Sequence, residues 1–174
     1  MIGHVTRLLA WAEVRPGQRY LDVGCGNGAV ALGLDITGDD GDPAQVLVAR
    51  SEGAEIERLR FLTGDATRLP FPDGEFAVVA ASKLTHHIPR WEAAVAEMLR
   101  VLAPGGVFVH ADLVYPRWLV AMGRRVTGGR AGFPTACALD ALVERARLVR
   151  LHRSRSWGHD ETVCRLPTGR RPSP

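Results

Sequence analysis

Ile2, Val5, Leu8, Leu9 and Ala12 recur at the spacing of one helix face, and Pro16-Gly17 stops that helix. A short, mainly apolar run, Tyr20 to Val23, follows and is closed by glycine, the pattern of a buried strand. The alternation continues with a strand near Asp35 to Gly38, a helix near Pro43 to Glu52 and a strand near Leu59 to Thr63. In FPDGEFAVVAAS a turn at Pro72-Asp73-Gly74 precedes a buried strand from Phe76 to Ala81. PRWEAAVAEMLRVL has the spacing of an amphipathic helix that begins with proline, and a strand from Val107 to Ala111 is predicted after Pro104-Gly105-Gly106.

Residues 115–135 are less regular and carry Gly123, Gly128, Gly129 and Gly132, so they read as a mobile cover rather than another sheet unit. A helix is predicted from about Leu139 to Ala146. LVRLHRSR and TVCRL flank Trp157-Gly158 and predict an antiparallel hairpin at the sheet edge. Strands separated by helices make this an α/β chain with a doubly wound, mostly parallel sheet, helices on both faces, and ligand sites at the carboxyl ends of the strands.

Composition narrows the picture. A chain of 174 residues that is 46% hydrophobic and 24% charged fits one domain, taken as residues 1–166, with a disordered tail over 167–174. Lys83 is the only lysine, and bases outnumber acids only from Tyr115 onward. That basic third permits nucleic acid without requiring it. Cys25, Cys137 and Cys164 are odd in number and far apart, which points to neither a disulfide framework nor a zinc site, and no metal is expected. No signal segment and no run of membrane-spanning length is apparent, so the expected setting is the cytoplasm of a bacterial-type cell. Nothing in the pattern fixes an oligomeric state.

The chemistry begins at LDVGCGNG. Glycines 24, 26 and 28 let the main chain pass close beneath a ligand, while amides entering the next helix offer donors. With Ala29 in third place the turn also fits the dinucleotide pattern G-x-G-x-x-G/A. Asp22, just before the turn, suits a cationic amino-acid ligand better than a pyrophosphate. Four segments together, LDVGCGNG, TGDDGDP, GDATRLPF and VLAPGG, resemble the class I S-adenosylmethionine-dependent methyltransferases with their Rossmann-like fold, in the branch of the ubiquinone/menaquinone-type small-molecule enzymes. The resemblance runs from about Pro16 to Asp112 and continues more loosely through the final hairpin.

The resemblance implies S-adenosylmethionine as cofactor and a small-molecule methyl acceptor as partner. It implies that Asp22, Gly24, Cys25, Gly26 and Gly28 surround the methionine and sugar portion, with Ser82 beside the methionine. Asp40 would take the ribose hydroxyls, with Asp39 in reserve, and Asp65 and Ala66 would meet the adenine edge. Taken singly, each carboxylate reads as a solvated loop acid or helix cap; their joint order favours the ligand reading. One departure stands out. Gly24 to Asp40 is 16 positions, against roughly 20 in nucleotide-binding βαβ units, and Asp39 and Gly41 replace aliphatic residues. A short or distorted second strand and weakened cofactor binding are expected.

Methyl transfer needs a nucleophile aligned behind the activated carbon and, for a phenol, amine or acidic carbon, a base. His86 and His87 in SKLTHHIPRW are the candidates, His87 preferred and His86 second, against an equal reading as packing and solvent-facing residues. Lys83 and Trp91 are read first as a surface lysine and a packed indole. Two other classes compete: a noncatalytic metabolite- or protein-binding relative with a damaged cofactor site, and a nicotinamide oxidoreductase. An RNA methyltransferase comes last, because no stacking aromatics accompany the arginines of RARLVRLHRSR.

Overall fold

The computed structural model describes residues 7, 8, 10, 11, 18–24, 35–40 and 59–169. Seven strands form one sheet: β1 (Arg19–Val23), β2 (Asp35–Asp40), β3 (Leu59–Thr63), β4 (Phe76–Ser82), β5 (Leu102–Leu113), β6 (Val149–Ser156) and β7 (His159–Arg165). Their spatial order is β3-β2-β1-β4-β5-β7-β6. The first five are mutually parallel, and β7 and β6 add antiparallel at the edge. The chain thus reverses its direction of winding between β1 and β4, where an open α/β sheet leaves a crevice at the strands' carboxyl ends.

Side chains alternate between two cores, as the two-residue period of a strand requires. Leu21, Val23, Val79, Ala81 and Phe108 point to one face with helix α1 (Trp91–Val101) and helix α3 (Ala136–Arg145). Tyr20, Val78, Ala80, Val109 and Ala111 point to the other, where the helical residue Leu8 packs. Trp91, Ala94, Val95, Met98 and Val101 are all buried, so the apolar stripe of α1 is entirely used by the core. Trp91 is the packed indole expected.

Four sequence expectations change. β2 is neither short nor distorted at the backbone: it pairs without interruption with Arg19 to Val23 on one side and Leu59 to Thr63 on the other. Six residues is an ordinary strand length, and a strand between two partners is held by both ladders. The predicted helix near Pro43 to Glu52 lies outside the described residues, as does the link 25–34.

β5 begins earlier and ends later than Val107 to Ala111. Leu102 pairs with Phe76 and Val107 with Val78, so Pro104-Gly105-Gly106 forms a bulge inside the strand rather than a turn before it. Glycine is required there, because a Cβ on Gly106 would come within 2.7 Å of the Ala103 carbonyl oxygen. At the other end the strand runs on to Leu113 and so includes Asp112.

The irregular stretch 115–135 contains a regular element, helix α2 (Arg117–Val126), none of whose residues is buried. Gly123 fits because the Phe133 ring fills its notch; a Cβ there would lie 2.3 Å from that ring. Helix α3 starts at Ala136, three residues before Leu139, on the cap supplied by the Thr135 hydroxyl, which accepts from the Ala138 amide at 3.2 Å. The hairpin forms as expected, with Gly158 at φ +77° in its turn.

Candidate active site

Five parallel strands deliver their carboxyl ends to one edge of the sheet. β1 leaves through Gly24 at φ +76°, where a Cβ would also meet Leu84 Cδ1 at 2.6 Å. The glycine turn therefore touches the segment that follows β4, and only glycine allows the approach. Asp22 is buried in β1, between Gly38 of β2 and Ala80 of β4. Asp40 is the last residue of β2, paired with Thr63. Cys25, Gly26 and Gly28 lie outside the described residues.

Asp65 stands two positions beyond β3. Its Oδ1 accepts from the Thr67 amide and from the Thr67 hydroxyl, both at 2.8 Å, while the Arg68 amide closes the turn onto the Asp65 carbonyl at 2.8 Å. The Thr67 bonds hold the Asp65 carboxyl below the usual carboxylate range. Among the described residues no hydrogen bond involves its Oδ2, and the side chain is exposed, so a charged acceptor is preset for a donor ligand. Ala66 is half-buried beside it.

Ser82 closes β4, paired with Ala111. Lys83 then takes φ +54°, an uncommon value for a residue with a side chain, and its amide still bonds the Ala111 carbonyl at 2.9 Å. This twist carries the chain into a single 3₁₀ turn, Thr85–His87. Both histidines sit there with ring centroids 3.9 Å apart, His86 half-buried and His87 exposed.

The adjacent strand end supplies what the sequence reading missed. Asp112, buried at the end of β5, accepts from the Thr85 amide at 2.6 Å and the Thr85 hydroxyl at 2.7 Å through Oδ2. Its Oδ1 accepts from His86 Nδ1 at 2.5 Å and from the Leu113 amide at 2.7 Å. Burial alone would raise the Asp112 pKa; the Thr85 bonds and the neighbouring His110 and His86 more than offset it and hold it below the usual range.

An ionised carboxylate only accepts, so the single Thr85 hydroxyl hydrogen goes to Asp112. Thr85 Oγ1 therefore accepts from His110 Nε2, 3.1 Å away. Burial lowers the His110 pKa and keeps that ring neutral with its proton on Nε2, which accounts for a buried Nδ1 lacking a partner. On the other side, His86 donates from Nδ1, which leaves Nε2 as the basic nitrogen of its neutral form. Two of these residues carry a faint signal in HADL, where His110 and Asp112 share one face of an otherwise apolar strand.

Three arginines of the basic third, on β6, are committed to acidic partners. Arg150, Arg153 and Arg155 all reach Asp140, and Arg153 and Arg155 also bind the buried Asp160. Cys137 and Cys164 are free thiols, and burial pushes Cys164 up to about 11. Among the described residues no group of three His, Cys, Asp or Glu side chains could hold a metal ion.

A family model described as a methyltransferase domain matches residues 21–110. The chain belongs to the class I S-adenosylmethionine-dependent methyltransferases. It is 36% identical over 147 residues to 27-O-demethylrifamycin SV methyltransferase of Amycolatopsis mediterranei, a match covering 77% of this chain and 54% of that protein. It is 39% identical over 108 residues to demethylmenaquinone methyltransferase of Beutenbergia cavernae, covering 60% and 44%. Among solved structures it resembles the YcgJ protein of Bacillus subtilis, with TM-score 0.76 and 28% identity over 88% of this chain and 70% of that one. The chain spans about half the length of these two enzymes. As a methyltransferase domain it presents, at its carboxyl edge, Gly24, Asp40, Asp65, Ser82 and the His86–Asp112 pair on successive strands.

Proposed function

We propose that this domain transfers a methyl group from S-adenosylmethionine to a small-molecule acceptor by in-line displacement, with His86 as the general base. S-adenosylmethionine, when bound, supplies an activated methyl on a sulfonium. The described residues fit that group: Asp65 is a preset carboxylate, Asp22 is an acid beside the glycine turn, and Gly24 keeps the approach clear of a Cβ. Asp22, Gly24, Cys25, Gly26, Gly28 and Ser82 would line the methionine and sugar side, Asp40 the ribose, and Asp65 with Ala66 the adenine.

The observation that carries the reading is the bond from His86 Nδ1 to Asp112 Oδ1 at 2.5 Å, on the turn that also contacts Gly24 through Leu84. Asp112 fixes the tautomer and ring orientation, and the lone pair on Nε2 takes the acceptor's proton. His87, the residue preferred from sequence, lacks such a carboxylate partner in the described contacts and reads as the neighbour that borders the pocket. The named relatives act on 27-O-demethylrifamycin SV and on demethylmenaquinone, which supports an acceptor of small-molecule size.

His86→Ala is expected to abolish methyl transfer while leaving S-adenosylmethionine binding by calorimetry unchanged, and His87→Ala to retain most turnover. Full activity in His86→Ala would end the assignment. A second reading, a noncatalytic relative, is favoured by the short link of residues 25–34. A cooperative melt with no binding of S-adenosylmethionine or S-adenosylhomocysteine would select it.

A further inference from the structure

We infer that helix α2 and the β6–β7 hairpin tip form a docking surface for an anionic lipid bilayer. Trp118, Met122 and Val126 recur every fourth residue along α2 and are 72%, 53% and 81% exposed. A helix of a globular domain ordinarily turns such a stripe inward. Here the inward side is taken by Gly123 against Phe133, so the stripe faces out.

The hairpin adds a second, independent segment. Trp157 at its tip is 95% exposed, and the Val114 amide donates to the Gly158 carbonyl at 3.0 Å. That bond fixes the tip beside the end of β5, where the chain leaves for α2. Leu113, 39% exposed, lies at the same place. The hairpin tip with Trp157 and the start of the segment that carries Trp118, Met122 and Val126 thus meet at the end of β5, beside Leu113. Exposed apolar groups gathered in this way mark interaction sites rather than ordinary surface.

Charge selects the occupant. Between Asp112 and Asp140 the chain has no acidic residue and carries Arg117, Arg124, Arg125 and Arg130. None of the four has an acidic partner among the described residues, in contrast to Arg150, Arg153 and Arg155. At 3.6 residues per turn Arg125 falls beside Trp118, on the flank turned away from Gly123. An amphipathic helix with tryptophan on its apolar face and arginine along its border is suited to lie in the headgroup plane of an anionic membrane. Among the described residues no helix is long and apolar enough to cross one, and the contact inferred is with the headgroup plane. The segment that follows α2 is tied to the candidate site by the Gly132 amide, which donates to the His86 carbonyl at 3.0 Å. Docking there would bring the catalytic turn near the lipid surface.

The test is co-sedimentation of the full chain with vesicles of phosphatidylcholine alone and of phosphatidylcholine with phosphatidylglycerol. Binding is expected only to the second, weakening as salt rises. Arg124→Glu with Arg125→Glu is expected to weaken it at least tenfold, and Trp118→Ser with Met122→Ser likewise, with unchanged circular dichroism melts. Binding that ignores lipid charge, or that survives both variants, would overturn the inference. So would a concentration-dependent dimer that hides Trp118 and stays in the supernatant when the vesicles are pelleted. Because the readout is binding, it does not depend on the methyl-transfer reading.

Discussion

Helices α1 and α2 are nearly equal in length and both amphipathic, yet one is absorbed by the fold and the other is not. α1 is anchored along its whole apolar stripe, from Trp91 to Val101. α2 is anchored at the two ends of its excursion: the Tyr115 amide bonds the Pro134 carbonyl at 2.7 Å, and Gly132 bonds His86. The contrast separates two uses of the same pattern. A stripe matched to the sheet stabilises the domain, whereas a stripe left outside is available to something that is not the domain.

The largest expected effect lies in α1. Trp91→Ala should destabilise the domain by about 3–5 kcal/mol, because it empties a fully enclosed site, and chemical denaturation would show it. An unchanged midpoint would dissolve the contrast.

Next comes the anchor of α2. A Cβ at Gly132 would lie 2.2 Å from the Thr85 carbonyl oxygen and 2.3 Å from that of Ile88, both backbone atoms of the histidine turn. Gly132→Ala should therefore shift His86 and lower kcat by roughly 10- to 100-fold with little change in S-adenosylmethionine affinity. Steady-state kinetics beside calorimetry would separate the two effects.

A smaller effect tests the buried side of the sheet, where His110 faces α1's core. Its folded pKa is lowered by desolvation, so below about pH 6.5 the unfolded chain binds this proton first and stability falls with pH. Asp112, also lowered, supports the fold above its unfolded value near 3.8 and withdraws that support only at more acid pH. His110→Asn should flatten the fall in Tm between pH 7 and 5 without altering the more acid limb. Smallest of all, Trp118→Ala should change stability by no more than about 0.5 kcal/mol in the same denaturation assay that exposes Trp91.

Much of this was readable from local pattern. The bounds of β3, the core of β4, the register of α1 and the hairpin follow from periodicity and turn residues, because neighbours in sequence decide them. Asp39 points to lost burial in β2, whereas strand pairing on both sides is a property of its partners. α2 was hidden by Gly123, whose fit depends on Phe133 ten residues later. The histidine pair was visible, but the partner that distinguishes His86 from His87 was not. Asp112 lies 26 residues away and meets His86 only because β4 and β5 are adjacent; Thr85 and His110 join through the same adjacency. Glycine and acid spacing points to a ligand edge, and the adjacency of β4 and β5 brings His86 and Asp112 together.

The outermost strand carries a quieter consequence. Among the described residues β6 pairs with β7 alone, and a bare strand edge invites another chain to add to it and begin a fibre. Here the edge strand carries Arg150, Arg153 and Arg155, held by Asp140 and Asp160, and a strand so rich in charge is a poor template for added backbone. The ion pairs that withdraw these arginines from nucleic acid also help keep the molecule from polymerising with its own kind.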